Sequence, residues 1–188
     1  MVGYDSVRFN LSQISKEEFD NLHSLVKACF DQGRQRVTPK LRAISNDIED
    51  MPEVHRENLR ATSDALALTM ATRWTRADVF DIWMLPQLLP GNFRFYQTLV
   101  HELVHGYAGI YCGHNAHWRR WFYRTLWHAD QAQMLPKHES ELRMICFSVG
   151  TRYTKDDPWK ELKLIDEAFS KAESEHTKVM DAYLERVL

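Results

Sequence analysis

Two histidines with a glutamate between them, in residues 101–105 (His-Glu-Leu-Val-His), constrain this chain more than any other feature of its sequence. Residues four apart lie on the same face of a helix, so the imidazoles of His101 and His105 can reach one metal ion. Glu102 lies about 100° around the helix from His101, where it can accept a proton from a water at the metal without binding the metal. Because neutral imidazole suits Zn²⁺, the segment predicts a zinc-dependent hydrolase with Glu102 as its general base.

Apolar residues at helical spacing surround this motif and favour a helix over a chance match. They are Tyr96, Leu99, Val100, Leu103, Val104 and Tyr107. Asn92 follows a proline and a glycine and is a suitable N-cap for that helix. The two histidines fall near the edge of the apolar stripe, where they can line a cleft. The alternative is an ordinary amphipathic helix that carries two unrelated histidines.

A catalytic zinc site generally has three protein ligands, and several residues after the helix can supply the third. Glycines at 109 and 113 can end the helix and turn the chain back. The spacing of metzincins is excluded because Tyr111 stands where their third histidine would be. The remaining candidates are His114, His117, Cys112, Glu139 and Glu141. A histidine just after the turn is the simplest source, since the two glutamates belong to a later segment.

The histidine motif, followed by residues 113–118 (Gly-His-Asn-Ala-His-Trp), resembles the SprT-like (Spartan-like) zinc metalloprotease domain family. The resemblance covers roughly residues 60–150 and implies a peptidase whose Zn²⁺ is held by His101, His105 and His114. It also implies that Glu102 is the catalytic base and that the substrate is a protein or peptide.

The second motif departs from the family at one position. Asn115 stands where the family usually has glycine, while Trp118 keeps the aromatic position. This departure, together with the short loop after His105, leaves His117 as an alternative third ligand. No residue is singled out to stabilise the oxyanion, for which Tyr123, His138 and Tyr153 are all candidates.

Alternation of apolar with smaller or polar residues in 66–70 predicts a strand, and 79–84 predicts a second strand that Pro86 stops. A strand pair followed by the metal-binding helix is the arrangement expected of zincins. In zincins an exposed sheet edge holds extended peptide through backbone hydrogen bonds.

Helices are predicted in the remaining regions. A capping box of Ser15 and Glu18 starts a helix that ends at Gly33, and loop plus a short helix follows over 34–60. Later helices are expected over 118–128, 134–147 and 158–188. We therefore expect an α+β, mostly helical, zincin-like single domain with a small antiparallel sheet and a long C-terminal helix. Its parts would be an N-terminal helical region (1–60), a SprT-like core (60–150) and the C-terminal helix (151–188).

Composition narrows the class of protein. A chain of 188 residues with 44% hydrophobic content can bury one sizeable core. Its net charge of −2 creates no general attraction to nucleic acid or membranes. We find no basic leader before an apolar run and no apolar stretch of membrane-spanning length. The three scattered cysteines make neither a disulfide framework nor a zinc ribbon. These features favour a cytoplasmic protein without a membrane partner.

Tryptophans and arginines alternate after the second motif, which suits weak binding of single-stranded DNA through Arg119, Arg120 and Arg124. Helical spacing of Trp118, Phe122 and Leu126 instead indicates a core helix with the arginines on its outer side, and we favour this interpretation. Two alternatives to a general peptidase remain. One is a DNA-dependent protease acting on DNA–protein crosslinks, and the other is a non-catalytic zinc-binding partner protein of a phage or mobile element.

Overall fold

The computed structural model of the protein describes residues 7–31, 39–53, 56–57, 66–73, 76–85, 92–109, 113–114 and 116–136, together with Glu167 and Lys171. Within these ranges, residues 31, 48, 71–73, 76–78 and 116–117 are described by their backbone alone. The strands are β1 (Arg8–Asn10), β2 (Lys40–Ser45), β3 (Ala67–Arg73) and β4 (Arg76–Met84). The helices are α1 (Lys16–Asp31), α2 (Phe93–Ala108) and α3 (Ala116–Gln131), with a 3-10 helix at Ile48–Asp50.

The four strands form one sheet in the order β1-β2-β4-β3. The α+β class is confirmed, and both predicted strands, β3 and β4, form the expected antiparallel pair. The sheet is mixed rather than purely antiparallel, because β1 and β2 add parallel pairings to it. The N-terminal region is therefore partly sheet and not only helical. Parallel strands pair across long connections and leave no hairpin signal in the sequence, which is why β1 and β2 were not predicted.

Helix α1 begins as its sequence predicts. The backbone N–H of Ser15 donates to Glu18 Oε2 at 3.0 Å, and the N–H of Glu18 donates to Ser15 Oγ at 3.2 Å. This reciprocal pair is the predicted capping box. The helix then buries an apolar stripe made of Phe19, Leu22, Val26, Cys29 and Phe30. Its predicted end at Gly33 lies outside the described residues.

Strand β3 shows two different faces. Leu68 and Met70 pack with Met51 and Trp83 on one side of the sheet. Ala67 and Thr69 are buried, and the hydroxyl of Thr69 hydrogen-bonds to α2 on the other side. The strand thus presents a buried polar side chain to the helix that carries the histidine motif.

Helices α2 and α3 complete the core. Asn92 caps α2 as predicted, since its side-chain oxygen accepts a hydrogen bond from the N–H of Arg94 at 2.8 Å. On α3, the predicted core face of Trp118, Phe122 and Leu126 is buried. The ring of Trp121 on the same helix also stacks on Phe30 of α1, with centroids 4.5 Å apart. α3 is therefore a core helix.

The chain divides into two compact units, Met1–Lys137 and His138–Leu188. All the elements named above lie in the first unit. The helix predicted for 134–147 is not present at 134–136, and the rest of that segment lies outside the described residues. Of the predicted C-terminal helix, only Glu167 and Lys171 are described, and both are helical. None of the described helices combines the length and apolar character needed to cross a membrane.

Candidate metal centre

The Nε2 atoms of three histidines converge on one point beside α2. They are 3.2 Å apart between His101 and His105, 3.1 Å between His105 and His114, and 3.1 Å between His114 and His101. His101 and His105 come from successive turns of α2, as the four-residue spacing predicts. His114 comes from the turn that follows the helix. These three side chains are the ones that the resemblance implied as zinc ligands.

Two glycines with left-handed backbone accompany the turn that returns the chain to α2. Gly109 caps the helix with φ of 113°, and Gly113 has φ of 56°. Such values are strained for residues with a Cβ, so glycine suits both positions. The carbonyl oxygen of His114 then accepts a hydrogen bond from Arg119 Nε at 3.0 Å. The third ring is therefore held from the backbone side by the first turns of α3.

The chemistry of this donor set fits a metal ion better than a hydrogen-bond network. In a neutral imidazole each Nε2 is either a donor or an acceptor. Among three mutually adjacent Nε2 atoms, at least two must therefore both be donors or both be acceptors. At least one of the three contacts then cannot be a hydrogen bond. A tetrahedral Zn²⁺ with Zn–N bonds of about 2.0–2.1 Å instead keeps its ligand nitrogens about 3.3–3.4 Å apart. The separations of 3.1–3.2 Å are close to that requirement.

Trp118 supports all three imidazole rings. Its ring centroid lies 4.5 Å from that of His101, 4.7 Å from that of His105 and 4.6 Å from that of His114. The indole stacks on His105 and meets the other two rings edge to face. Because Trp118 is buried, it restricts the rotation of each ring. This contact gives a physical reason for an aromatic residue four positions after His114.

Burial keeps the two α2 histidines in the neutral form that binds metal. It lowers the pKa of His101 to about 3, with the neighbouring His105 and His114 adding to the effect. It also lowers the pKa of His105 to about 4, again with a contribution from His114. Near neutral pH both imidazoles therefore offer a lone pair without first losing a proton.

Glu102 lies beside the histidine cluster without joining it. One carboxylate oxygen, Oε1, lies 3.9 Å from His101 Nε2. The other, Oε2, lies 2.6 Å from the hydroxyl oxygen of Thr69. Burial raises the pKa of Glu102 to about 7, and the hydrogen bonds from Thr69 oppose part of that rise. A carboxyl group with this pKa can take up and release a proton near neutral pH.

A cleft of about 630 Å³ opens onto the histidines and Glu102. Strand β3 and α2 line it, and β3 is the last strand of the sheet order among the described strands. The lining residues are Leu66, Ala67, Leu68, Thr69, Arg94, Gln97, Thr98, His101, Glu102, His105, His114 and Phe122. The candidate centre is thus accessible from a groove along a sheet edge.

Some backbone groups of β3 face that edge. The N–H of Leu85 donates to the carbonyl of Leu66 at 2.9 Å, so the backbone of Leu66 faces β4. Because neighbouring residues of a strand direct their N–H and C=O groups to opposite sides, those of Ala67 and Thr69 face away from β4. The N–H of Thr69 is hydrogen-bonded to the Glu102 carboxylate, which leaves the backbone groups of Ala67 and the carbonyl of Thr69 to pair with an additional extended chain.

For most of the other predicted site residues, the side chain or the whole residue lies outside the described part of the chain. His117 lies in the first turn of α3, but its side chain lies outside the described residues. Cys112, Glu139, Glu141, His138 and Tyr153 lie outside them as well. Tyr123 is buried against Phe122, with ring centroids 5.2 Å apart. Thr69 was not predicted as a site residue, and its one signal in the sequence was a polar residue within a predicted strand.

The three candidate nucleic-acid contacts occupy different environments on α3. Arg119 is exposed and bonds to His114. Arg120 and Arg124 are half-buried, and their guanidinium carbons lie 5.8 and 5.3 Å from the Trp121 ring centroid. Trp118 and Trp121 are 3% and 7% exposed, so neither can stack on a base. DNA binding by this helix therefore stays a prediction, in which Trp118 and Trp121 take no part.

Comparison of the chain with protein-family models, with curated proteins and with solved structures finds no match. We therefore infer the function from the geometry of the histidines, Glu102 and the cleft.

Proposed function

We propose that the protein is a zinc-dependent metallopeptidase of the SprT-like type that hydrolyses peptide bonds of protein substrates. One observation carries the proposal. Three imidazole nitrogens face one point. A carboxylate oxygen of the buried Glu102 lies 3.9 Å from one of these nitrogens, His101 Nε2. Three imidazole ligands with a nearby base that is not a ligand are the components of a hydrolytic zinc site.

Each group of the chain has a separate task in this proposal. His101, His105 and His114 hold Zn²⁺, which when bound polarises the substrate carbonyl and makes water more acidic. Glu102 accepts a proton from the attacking water through its carboxylate and then delivers it to the leaving amine. Its raised pKa of about 7 suits both steps, since the same group must gain and lose the proton in one cycle.

The edge of β3 favours an extended peptide as substrate. The backbone groups of Ala67 and the carbonyl of Thr69 face away from β4, and both residues line the cleft, whereas the Thr69 N–H is hydrogen-bonded to Glu102. A peptide paired with them by strand addition would cross the cleft beside the histidines. Because such pairing uses backbone groups, it accommodates many side chains, which agrees with an enzyme that acts on protein substrates.

Replacement of the base tests the proposal. Glu102→Gln preserves size but removes the proton acceptor, so we expect cleavage of an unfolded protein substrate to fall by about 10²–10⁴-fold. Zinc content, measured by metal analysis, should equal that of the wild type because Glu102 is not a ligand. A wild-type protein that binds zinc and cleaves no protein substrate would instead indicate a non-catalytic zinc-binding protein. Equal cleavage by both proteins would remove Glu102 from the mechanism.

A further inference from the structure

Thr69 makes a buried contact with the candidate base. Its hydroxyl oxygen lies 2.6 Å from Glu102 Oε2 and 2.9 Å from the backbone carbonyl oxygen of the same residue. Thr69 is 8% exposed and Glu102 is 6% exposed. The two residues are 33 positions apart, so this contact joins β3 to α2.

The contact determines which way the carboxylate is directed. With Oε2 held by Thr69, the other oxygen, Oε1, is the one that lies 3.9 Å from His101 Nε2. A glutamate side chain has several rotatable bonds, so an unanchored carboxylate would sample other orientations. The Thr69 hydroxyl therefore restrains one oxygen, while the second lies beside the metal ligands.

The same threonine belongs to the strand edge on which a peptide would pair. Its backbone carbonyl faces away from β4, whereas its N–H and its side-chain hydroxyl both hydrogen-bond to Glu102. Thr69 thus belongs to the edge of β3 on which a substrate backbone would pair, and it also contacts the proposed base, Glu102. Small movements of β3 would be transmitted directly to the Glu102 carboxylate through this short hydrogen bond.

We propose that Thr69 is a positioning residue that couples the substrate-pairing edge of β3 to the orientation of Glu102. This inference depends on the proposed peptidase function. Thr69 touches neither the metal nor the scissile bond, and it acts through the carboxylate that it holds.

Three threonine variants test the coupling in steady-state proteolysis. Thr69→Val has nearly the same shape without the hydroxyl, and we expect kcat to fall about 10- to 100-fold with unchanged KM and zinc content. Thr69→Ser keeps the hydroxyl and should restore most of the activity. Thr125→Val is the matched control, because Thr125 is buried and its hydroxyl donates to the Trp121 carbonyl on α3. It should leave kcat unchanged.

Other kinetic results would overturn the inference. A higher KM at unchanged kcat in Thr69→Val would show that Thr69 contributes to peptide binding alone. Loss of activity in Thr69→Ser equal to that in Thr69→Val would show that the hydroxyl is not the important group. Should Thr69→Val not fold, Thr69→Ala serves as the second variant without the hydroxyl and is judged by the same outcomes.

A double-mutant cycle in urea unfolding supplies a measurement that does not depend on catalysis. Thr69→Val, Glu102→Ala and the double variant are compared with the wild type at equal zinc concentration. If the two side chains are coupled, Thr69→Val shifts the unfolding midpoint less when Glu102 is already absent. The same cycle with Thr125→Val should be additive.

The two measurements separate failure of this inference from failure of the proposed function. Additive unfolding shifts with an active wild-type enzyme would overturn the coupling and leave the peptidase proposal intact. A zinc-loaded wild type that cleaves nothing would overturn the peptidase proposal, and the positioning role with it, even if the unfolding cycle is non-additive.

Discussion

Burial acts in opposite directions on the titratable residues of the candidate centre. It lowers the pKa of His101 and His105 and raises the pKa of Glu102, because in each case it disfavours the charged form. Neutral imidazoles are the form that binds zinc, and a carboxyl group with a pKa of about 7 is suited to exchange protons. A single physical cause thus prepares both kinds of group for the proposed reaction.

Alanine variants at the two candidate third ligands should behave differently. We expect His114→Ala to weaken zinc binding by more than about 100-fold, because partners that only support a ligand already contribute about 10–100-fold. His117→Ala should retain zinc with nearly wild-type affinity. Competition with a chromogenic chelator measures both affinities. Retained zinc in His114→Ala together with loss in His117→Ala would reverse the assignment.

His23 should make stability depend on pH. Burial lowers its pKa to about 4, and its Nε2 lies 2.6 Å from the Tyr107 hydroxyl oxygen. The pKa of histidine in the unfolded chain is about 6.5, so the unfolded state binds the proton more readily. The contribution of His23 is therefore fully present above about pH 6.5 and is lost as the pH falls toward about 4.

Urea unfolding of the wild type and His23→Gln at pH 7 and pH 5 tests this expectation. Both proteins are measured at the same zinc concentration, so that titration of the metal ligands affects them equally. The wild type should lose more unfolding free energy between the two pH values than the variant does. Equal losses would show that His23 does not titrate with a lowered pKa.

Among the elements, α2 carries the centre at one edge and packs on the sheet with its buried face. The buried apolar residues of that face are Leu99, Val100, Leu103 and Val104. Their spacing leaves the two histidines accessible to the cleft while the helix is held by the core. At Gly106, one residue after His105, the ring of Phe80 on β4 fills the space beside the helix.

Gly106→Ala should therefore destabilise the protein. An added Cβ would lie 2.2 Å from two ring carbons of Phe80, well inside van der Waals contact. Overpacking costs roughly 1–3 kcal/mol, whereas alanine in place of helical glycine contributes up to about 1 kcal/mol. At this distance the steric term should dominate, so the free energy of unfolding measured in urea should decrease. Adding Phe80→Leu should restore part of the loss, and a more stable Gly106→Ala would contradict the expectation.

For the whole molecule, charge and burial limit contact with nucleic acid. The net charge is −2, and the tryptophans nearest the candidate arginines, Trp118 and Trp121, are buried. Any affinity for single-stranded DNA then depends on a few arginine–phosphate contacts. Such contacts release counterions and weaken steeply with added salt.

We expect weak binding of single-stranded DNA that is lost at moderate salt. Each phosphate contact removed should lower the slope of log affinity against log salt by about 0.7. Arg120→Glu with Arg124→Glu is the suitable variant, because Arg119 also holds the His114 carbonyl. Filter binding at several salt concentrations measures the slope. Tight binding at moderate salt that survives these changes would place the surface elsewhere and favour activity on DNA–protein crosslinks.

Several elements were predictable from the sequence because short-range contacts specify them. The capping box of α1 and the Asn92 cap of α2 join residues two or three positions apart. The pairing of His101 with His105 follows from one turn of helix. The antiparallel pair of β3 and β4 also followed from local alternation and a short connection. All these features depend on neighbouring residues, which a single sequence displays directly.

The parallel strand pairing and the environment of Glu102 could not be predicted, because they depend on contacts between residues that are distant in sequence. The parallel pairing of β2 with β4 joins residues such as Ile44 and Ile82, and nothing near either residue indicates the partner. The anchoring of Glu102 by Thr69 crosses 33 positions, and the burial that raises the Glu102 pKa requires the sheet to be in place. Residue types and their spacing were enough to predict which residues can bind a metal and move a proton. Their orientation and protonation depend on desolvation and long-range packing, which only the folded chain provides.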